Sequence, residues 1–212
     1  MDEALLDKLS IRQLVDDWII FSDGGDFERF PSVWHEDGWM MATWTQGSAA
    51  DFVAMRKMSF DKGATTILHF NGAHTSDVVG DRAVSQTKME ILQRAPVDGV
   101  MCDVTCLGRF YDFFAKREGR WGMVHRQPIY EKDWLIPCDP TTLPKMDRAR
   151  LESFPSGYRN LAYLQSGLGF NVKQGMPGLK GKEVEALYRS GKAWLAGAAD
   201  HPKQIYINEL DN

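Results

Sequence analysis

The sequence predicts an α+β domain in which helices close one face of a strongly curved antiparallel sheet, giving a cone. Three observations carry this expectation. The first 63 residues read as three helical segments and one short strand, with Gly-containing breaks after the first and third helices. From 64 to 134 the pattern changes to long runs rich in Thr, Val, Phe and Tyr, cut by turn signals at Gly80-Asp81, Pro96 to Gly99 and Glu118-Gly119. The 212 residues, 43% hydrophobic and 25% charged, suit one domain with an elaboration and a real core.

The elements follow in order. Leu5, Leu6, Leu9, Leu14, Val15 and Trp18 recur at near-helical spacing over 3 to 21, with Asp2 as N-cap. Gly24-Gly25 ends this helix and leaves Asp23 at its exit. Asp26 is placed to cap a short second helix carrying Phe27 and Phe30, with Pro31 restarting the turn. A strand is expected over 38 to 45, and Ser48 opens a third helix holding Phe52, Val53 and Met55 until Asp61-Lys62-Gly63 breaks it. Four long strands joined by tight turns then make an antiparallel meander on which the helices pack. The pattern ends near Trp134, and Pro137, Pro140 and Pro144 mark a linker, so residues 1 to 136 form the cone and 137 to 212 an extension. Tyr158, Leu161, Tyr163 and Leu164 form one short helical pattern in the extension, and Val184, Leu187, Tyr188 and Trp194 another. Too short and loop-rich for a core of its own, it is expected to wrap the cone or a neighbouring subunit.

Composition and motifs exclude several function classes. Lys plus Arg total 25 against 29 Asp plus Glu, without the basic surplus of a phosphate-binding protein, so nucleic acid is not expected as a partner. The longest purely apolar run, Trp18 to Phe21, is far short of a membrane span, and the acidic start Met1-Asp2-Glu3 is unlike a secretory signal. A cytoplasmic location follows as an expectation. Gly167-Leu168-Gly169 lacks the preceding strand of a dinucleotide fold, so no nucleotide cofactor is expected. His69 and His74, five residues apart, should face opposite sides of a strand and be unable to share a metal ion. Cys102 and Cys106 share a face, but at roughly 13 Å along a strand they read as packing thiols. Seven Trp, eleven Phe and ten Met could line an apolar ligand cavity or simply fill a core.

Five segments in order carry a family pattern: Phe21-Ser22-Asp23-Gly24-Gly25-Asp26-Phe27, Val33-Trp34-His35-Glu36-Asp37-Gly38, Leu68-His69-Phe70, Gly108-Arg109-Phe110-Tyr111-Asp112-Phe113-Phe114 and Gly119-Arg120-Trp121. Over residues 3 to 134 the chain resembles the SnoaL-like branch of the NTF2-like (cystatin-like) superfamily. This branch includes hexachlorocyclohexane dehydrochlorinase, scytalone dehydratase and bile acid 7α-dehydratase. The resemblance implies an Asp-His dyad, which falls on Asp23 and His69. It also points to Arg126 on the last strand as a counterpart of an Arg in the bile acid enzyme. Where the bile acid enzyme carries a Tyr and the dehydrochlorinase a Lys, five residues before the Asp, this chain has Trp18.

A His whose second nitrogen is held by a carboxylate has a fixed tautomer and a stabilised imidazolium, which suits a general base. Asp23 would orient and His69 would take the proton, inside a cavity walled by Trp18, Phe27, Met40, Trp44 and Phe70. Arg126, Tyr111 and Lys88, in that order, are candidates to stabilise or protonate a departing group. The leading expectation is a cofactor-independent lyase acting by elimination on a hydrophobic, aromatic small molecule, whether by dehydration, dehydrohalogenation or aldehyde-releasing C-C cleavage. A ketosteroid-type isomerase with His69 incidental, and a non-catalytic binding or scaffold protein, are the alternatives. Set against the functional reading are two structural ones: Asp23 as a turn residue beside Gly24-Gly25, and His69 as a satisfied core histidine on an apolar strand. Covering the meander's outer face calls for a homo-oligomer, trimer or dimer.

Overall fold

A computed structural model of the chain describes residues 2–63 and 66–211. The first two positions of the strand-rich stretch, 64 and 65, lie outside the described residues, as do Met1 and Asn212. The architecture is α+β. Helix α1 (Glu3–Gly24) starts where the Asp2 carboxylate accepts from the Ala4 N–H at 3.1 Å. It stops at Gly25, whose φ of 76° turns the chain into the left-handed region that a glycine tolerates. Ile11, Val15 and Trp18 are buried along one face, whereas Leu5, Leu6 and Leu9 share the periodicity yet remain exposed. In place of the expected second helix there is a single 3-10 turn, Phe30–Val33. The Asp26 side chain does accept from the Arg29 N–H at 3.1 Å, but Pro31 has no N–H with which to continue an α-helical ladder.

The strand expected over 38 to 45 is a hairpin, β1 (Trp34–Met41) with β2 (Gln46–Ser48). Helix α2 (Ala49–Lys62) follows, with Ser48 Oγ accepting from the Asp51 N–H and Gly63 closing its end. The meander is β3 (Thr66–Val79), β4 (Arg82–Val97), β5 (Val100–Arg117) and β6 (Arg120–Pro137). Its turns fall at the three dividers, and at Asp98-Gly99 and Glu118-Gly119 both residues have positive φ, as tight two-residue hairpins require. The sheet order is β2-β1-β6-β5-β4-β3, antiparallel throughout except for the parallel β1·β6 pair.

A register shift between Asn71 and His74 in β3 corrects the parity argument made for the two histidines. The bulge inserts a residue and resets the alternation, so His74 points to the same side as His69 and Asn71. Asn71 donates to the Val15 carbonyl and to Asp16 of α1, and His74 lies 2.7 Å from Thr87 Oγ1. Among the described residues no group of three His, Cys, Asp or Glu side chains is placed to hold a metal ion. Cys102 and Cys106 are buried in the core, where loss of water pushes both thiols up. No helix among the described residues is long and apolar enough to cross a membrane.

After residue 137 come α3 (Arg148–Glu152), α4 (Arg159–Gly167), α5 (Lys182–Leu195) and α6 (Pro202–Asp211). Helix α4 joins the main core through Leu161, Ala162, Tyr163 and Leu164. Asp133 on β6 holds the start of α4: its carboxylate accepts from the Asn160 and Leu161 N–H groups at 2.6 and 2.9 Å and from Asn160 Nδ2 at 2.9 Å. Helices α5 and α6 lie on the opposite face, where Leu187, Trp194 and Ile205 pack with Val84, Tyr111, Phe113 and Ile129 in a second core. Part of the outer face that the sequence reading assigned to another subunit is therefore covered by this chain itself. Tyr111 Oη comes so close to Gly191 that any Cβ there would lie 2.0 Å from it, so only glycine allows α5 to settle.

Two outcomes follow. Asp133→Ala strips the partner from two helix N–H groups and should lower stability by about 1–3 kcal/mol in urea unfolding, with α4 showing the greatest gain in amide exchange. His125 on β6 is fully buried against His201, and burial, reinforced by that neighbour, lowers its pKa to about 3. The unfolded chain therefore takes up a proton near the ordinary value of 6.5 that the native state refuses. Stability from this group is complete above that pH and lost as pH falls toward 3, at up to about 1.4 kcal/mol per unit. His125→Gln should flatten the wild-type slope between pH 6 and 5, measured by urea titration at each pH, and an unchanged slope would contradict it.

Candidate functional site

The exit of α1 and the edge strand β3 meet through one carboxylate. Asp23 Oδ2 accepts from the backbone N–H of His69 at 2.6 Å, and Oδ1 lies 2.8 Å from His69 Nδ1. An ionised carboxylate only accepts, so Nδ1 carries the proton and Nε2 of the neutral ring is left as an acceptor. Both side chains are about nine-tenths buried. Arg56 from α2 closes the group, with Nη2 3.8 Å from Asp23 Oδ1 and Nε donating to Ser22 Oγ at 3.2 Å. Burial pulls the Arg56 pKa down while the Asp23 charge opposes the shift. The indole of Trp18 meets the His69 ring edge-on at 5.3 Å and stacks on Phe52 at 5.8 Å.

His69 lines a chamber of about 40 Å³, together with Trp18, Met40, Trp44, Arg56 and Phe110. Such a volume accepts little more than a water molecule or the tip of a ligand. Beside it lies a vestibule of about 270 Å³ walled by Met55, Met58, Leu168 and Phe170. Trp44, Arg56, Ile67, Gln93 and Gln165 belong to both walls, so they form the partition between the two spaces. The polar wall is completed by Thr43 and Tyr130, whose phenol burial pushes far up.

Of the residues expected here from sequence, Asp23, His69, Trp18, Met40 and Trp44 come together. Phe27 does not line the chamber; it packs behind it against Phe30 and Phe60. Phe70 follows His69 on the strand and so points outward, more than half exposed. Lys88 lies on the outer surface, paired with Glu131 at 3.2 Å. Tyr111 faces the second core, its ring 5.6 Å from Tyr188, and burial holds its phenol protonated. Arg126 does face inward but sits beneath the chamber, fully buried, its guanidinium bound to both oxygens of Asp112 at 2.8 Å and held between the rings of Trp18 and Phe110. The site residues the sequence reading missed are Arg56, Gln93, Thr43, Tyr130 and Gln165. Only Arg56 left a local signal, because it follows Phe52 and Val53 at helical spacing and so belongs on the buried stripe of α2.

Removing one partner of the Arg126–Asp112 pair strands the other charge in an apolar interior. Asp112→Ala should cost about 3–5 kcal/mol, measured by chemical denaturation, and a double change to Met at 126 and Leu at 112 should recover most of it.

A family model described as a SnoaL-like domain matches residues 3–127. A PEP2-like protein of Fusarium vanettenii is 36% identical over 206 residues, covering 92% of this chain and 88% of the relative. Pea pathogenicity protein 2 from the same fungus is 35% identical over 206 residues, with 92% and 88% covered. Among solved structures, a type 2 hexachlorocyclohexane dehydrochlorinase aligns with a TM-score of 0.53 at 12% identity, over 68% of this chain and 96% of its own. A Mycobacterium tuberculosis protein of unknown function aligns with a TM-score of 0.54 at 16% identity, over 82% and 95%. At these identities the structural likeness concerns the fold.

Proposed function

The chain belongs to the SnoaL-like domain family, and we propose that it is a cofactor-independent lyase in which His69, oriented by Asp23, removes a proton from a hydrophobic small molecule during elimination. The observation that carries the reading is the pinned imidazole: Asp23 fixes Nδ1–H at 2.8 Å while the ring lines an apolar chamber. Fixing the tautomer leaves Nε2 as the proton acceptor, and the carboxylate stabilises the imidazolium formed when it takes the proton. The apolar side of the chamber, Trp18, Met40, Trp44 and Phe110, strengthens that interaction and disfavours competing water.

An elimination also needs help for the departing group, which leaves with the electron pair of its own bond while the C–H pair becomes the new π bond. Arg56 is the inward-facing cation at the dyad, and its fixed positive charge suits a developing anion. It takes the role that the sequence reading gave to Arg126, Tyr111 or Lys88. A hexachlorocyclohexane dehydrochlorinase has a similar fold, which supports the elimination reading without naming a substrate. A purely scaffolding role is disfavoured by the chamber and its vestibule, since a scaffold gains nothing from a buried base facing unfilled apolar space.

His69→Ala should fold normally and lose about 10²–10⁴ of turnover, followed by mass spectrometry on a panel of halogenated cycloalkanes, hydroxysteroids and diaryl compounds. Arg56→Met should lower turnover while leaving the far-UV spectrum unchanged. Full activity in His69→Ala would reject the dyad as the catalytic base.

A further inference from the structure

The extension after residue 137 contributes directly to the candidate site. Gln165, near the end of α4, is 4% exposed and stands in the partition between chamber and vestibule. Its Oε1 accepts from Thr43 Oγ1 at 2.6 Å, and its Nε2 donates to Gln93 Oε1 at 3.2 Å. These two bonds tie the extension to β4 and to the loop after β1, across the path from the vestibule to His69. The loop leaving α4 adds a second element. Phe170 packs on Trp44 with ring centres 5.6 Å apart, and Lys173 N–H donates to the Thr43 carbonyl at 2.8 Å.

The side chains at this partition offer mainly donors, while the acceptor in the chamber is His69 Nε2 beyond them. The Gln165 carbonyl already accepts from Thr43 and the Gln93 carbonyl from Gln165, whereas the second Gln165 N–H and the Gln93 amide N–H groups are donors beside the same space. Arg56 has donors only. Trp18 Nε1, also a donor, is buried with no hydrogen-bond partner among the described residues. The vestibule itself is walled by Met55, Met58, Leu168, Phe170 and Trp44, which offer apolar and aromatic contact.

We propose that α4 and its following loop are the specificity element of this protein: Gln165 is a gate that admits an apolar ligand whose leading end carries an acceptor oxygen, while Phe170 and Trp44 grip the ligand's body. A carbonyl at the leading end meets the spare donors of Gln165, Gln93, Arg56 and Trp18. A pure hydrocarbon meets the same donors and leaves them unsatisfied, which is the situation in which a polar site discriminates most strongly. The proposal deepens the lyase reading by naming what the same chamber selects, but binding can be measured without turnover.

The test compares 1-tetralone with tetralin, the same bicycle with and without a carbonyl, by isothermal titration calorimetry on the full chain. Wild type should favour the ketone by about tenfold or more. Gln165→Met, similar in length but without the amide, should shrink that preference to about twofold or less. Phe170→Ala, at a half-exposed loop position, should weaken both ligands by about threefold to tenfold and keep the preference. Equal affinities in wild type, a preference undiminished in Gln165→Met, or affinities unmoved by Phe170→Ala would overturn the proposal. Should Gln165→Met fail to fold, the wild-type comparison and Phe170→Ala still decide it. His69→Ala separates the two readings: the gate predicts an unchanged ketone preference there, whether or not the protein turns over any substrate.

Discussion

One carboxylate sets the geometry on which the rest of the interior depends. Asp23 uses Oδ2 for the backbone of His69 and Oδ1 for its ring. The first bond fixes where β3, the last strand in the sheet order among the described residues, lies against α1. The second fixes the tautomer and direction of the imidazole. Position and protonation pattern are thus controlled by the same group, and a strand edge that would otherwise be a free template is anchored from the cone's interior. Arg56 beside them offsets the charge that this arrangement places in a poorly solvated pocket.

A second charge pair lies below the first. Arg126 and Asp112 face each other in register across β6 and β5, both fully buried, and the guanidinium is flanked by Trp18 and Phe110. Trp18 in turn meets the His69 ring. The pair contributes little net stability over well-packed apolar residues, because desolvation consumes most of its Coulomb energy. Its evident effect is positional: it holds the indole that forms one wall of the chamber. Apolar side chains alone would allow that ring several packings, whereas a planar cation held through Nε and Nη2 by both oxygens of Asp112 allows few.

Much of this was legible in the sequence. The glycine-marked dividers located every turn of the meander, because positive φ is costly for other residues. The Asp23–His69 pairing came from the family pattern, since nothing local links residues separated by 45 others. The misreadings have physical causes. Alternation cannot see a bulge, so His74 was assigned to the wrong face. Strand parity alone also could not separate Tyr111, which points outward to α5, from Arg126, which points in. Phe27 and Phe70 are aromatic neighbours of site residues, but one fills a gap between helices and the other alternates outward. Gln165 and Asp133 act over long sequence separations, where spacing carries no information. The weak helical pattern of 158 to 164 indicated a helix without indicating that it closes the cone.

How that closure can open is constrained by its packing. Tyr158, Leu161, Tyr163 and Leu164 are each at most 2% exposed and belong to the same core as α1 and the sheet. Displacing α4 would expose all of them, at roughly 1.5–3 kcal/mol for each large side chain, and would also break the Asp133 bonds to its first N–H groups. Against this, rotating Gln165 breaks two neutral hydrogen bonds, and the segment around Leu168 and Phe170, 36% and 40% exposed, has less burial to lose than α4. Access to His69 therefore runs through side-chain rotation and movement of that short loop, with α4 staying docked. The extension is accordingly a fixed wall with one adjustable side chain and a short loop beside it, which is the arrangement that lets a small chamber receive part of a ligand without opening the core to water.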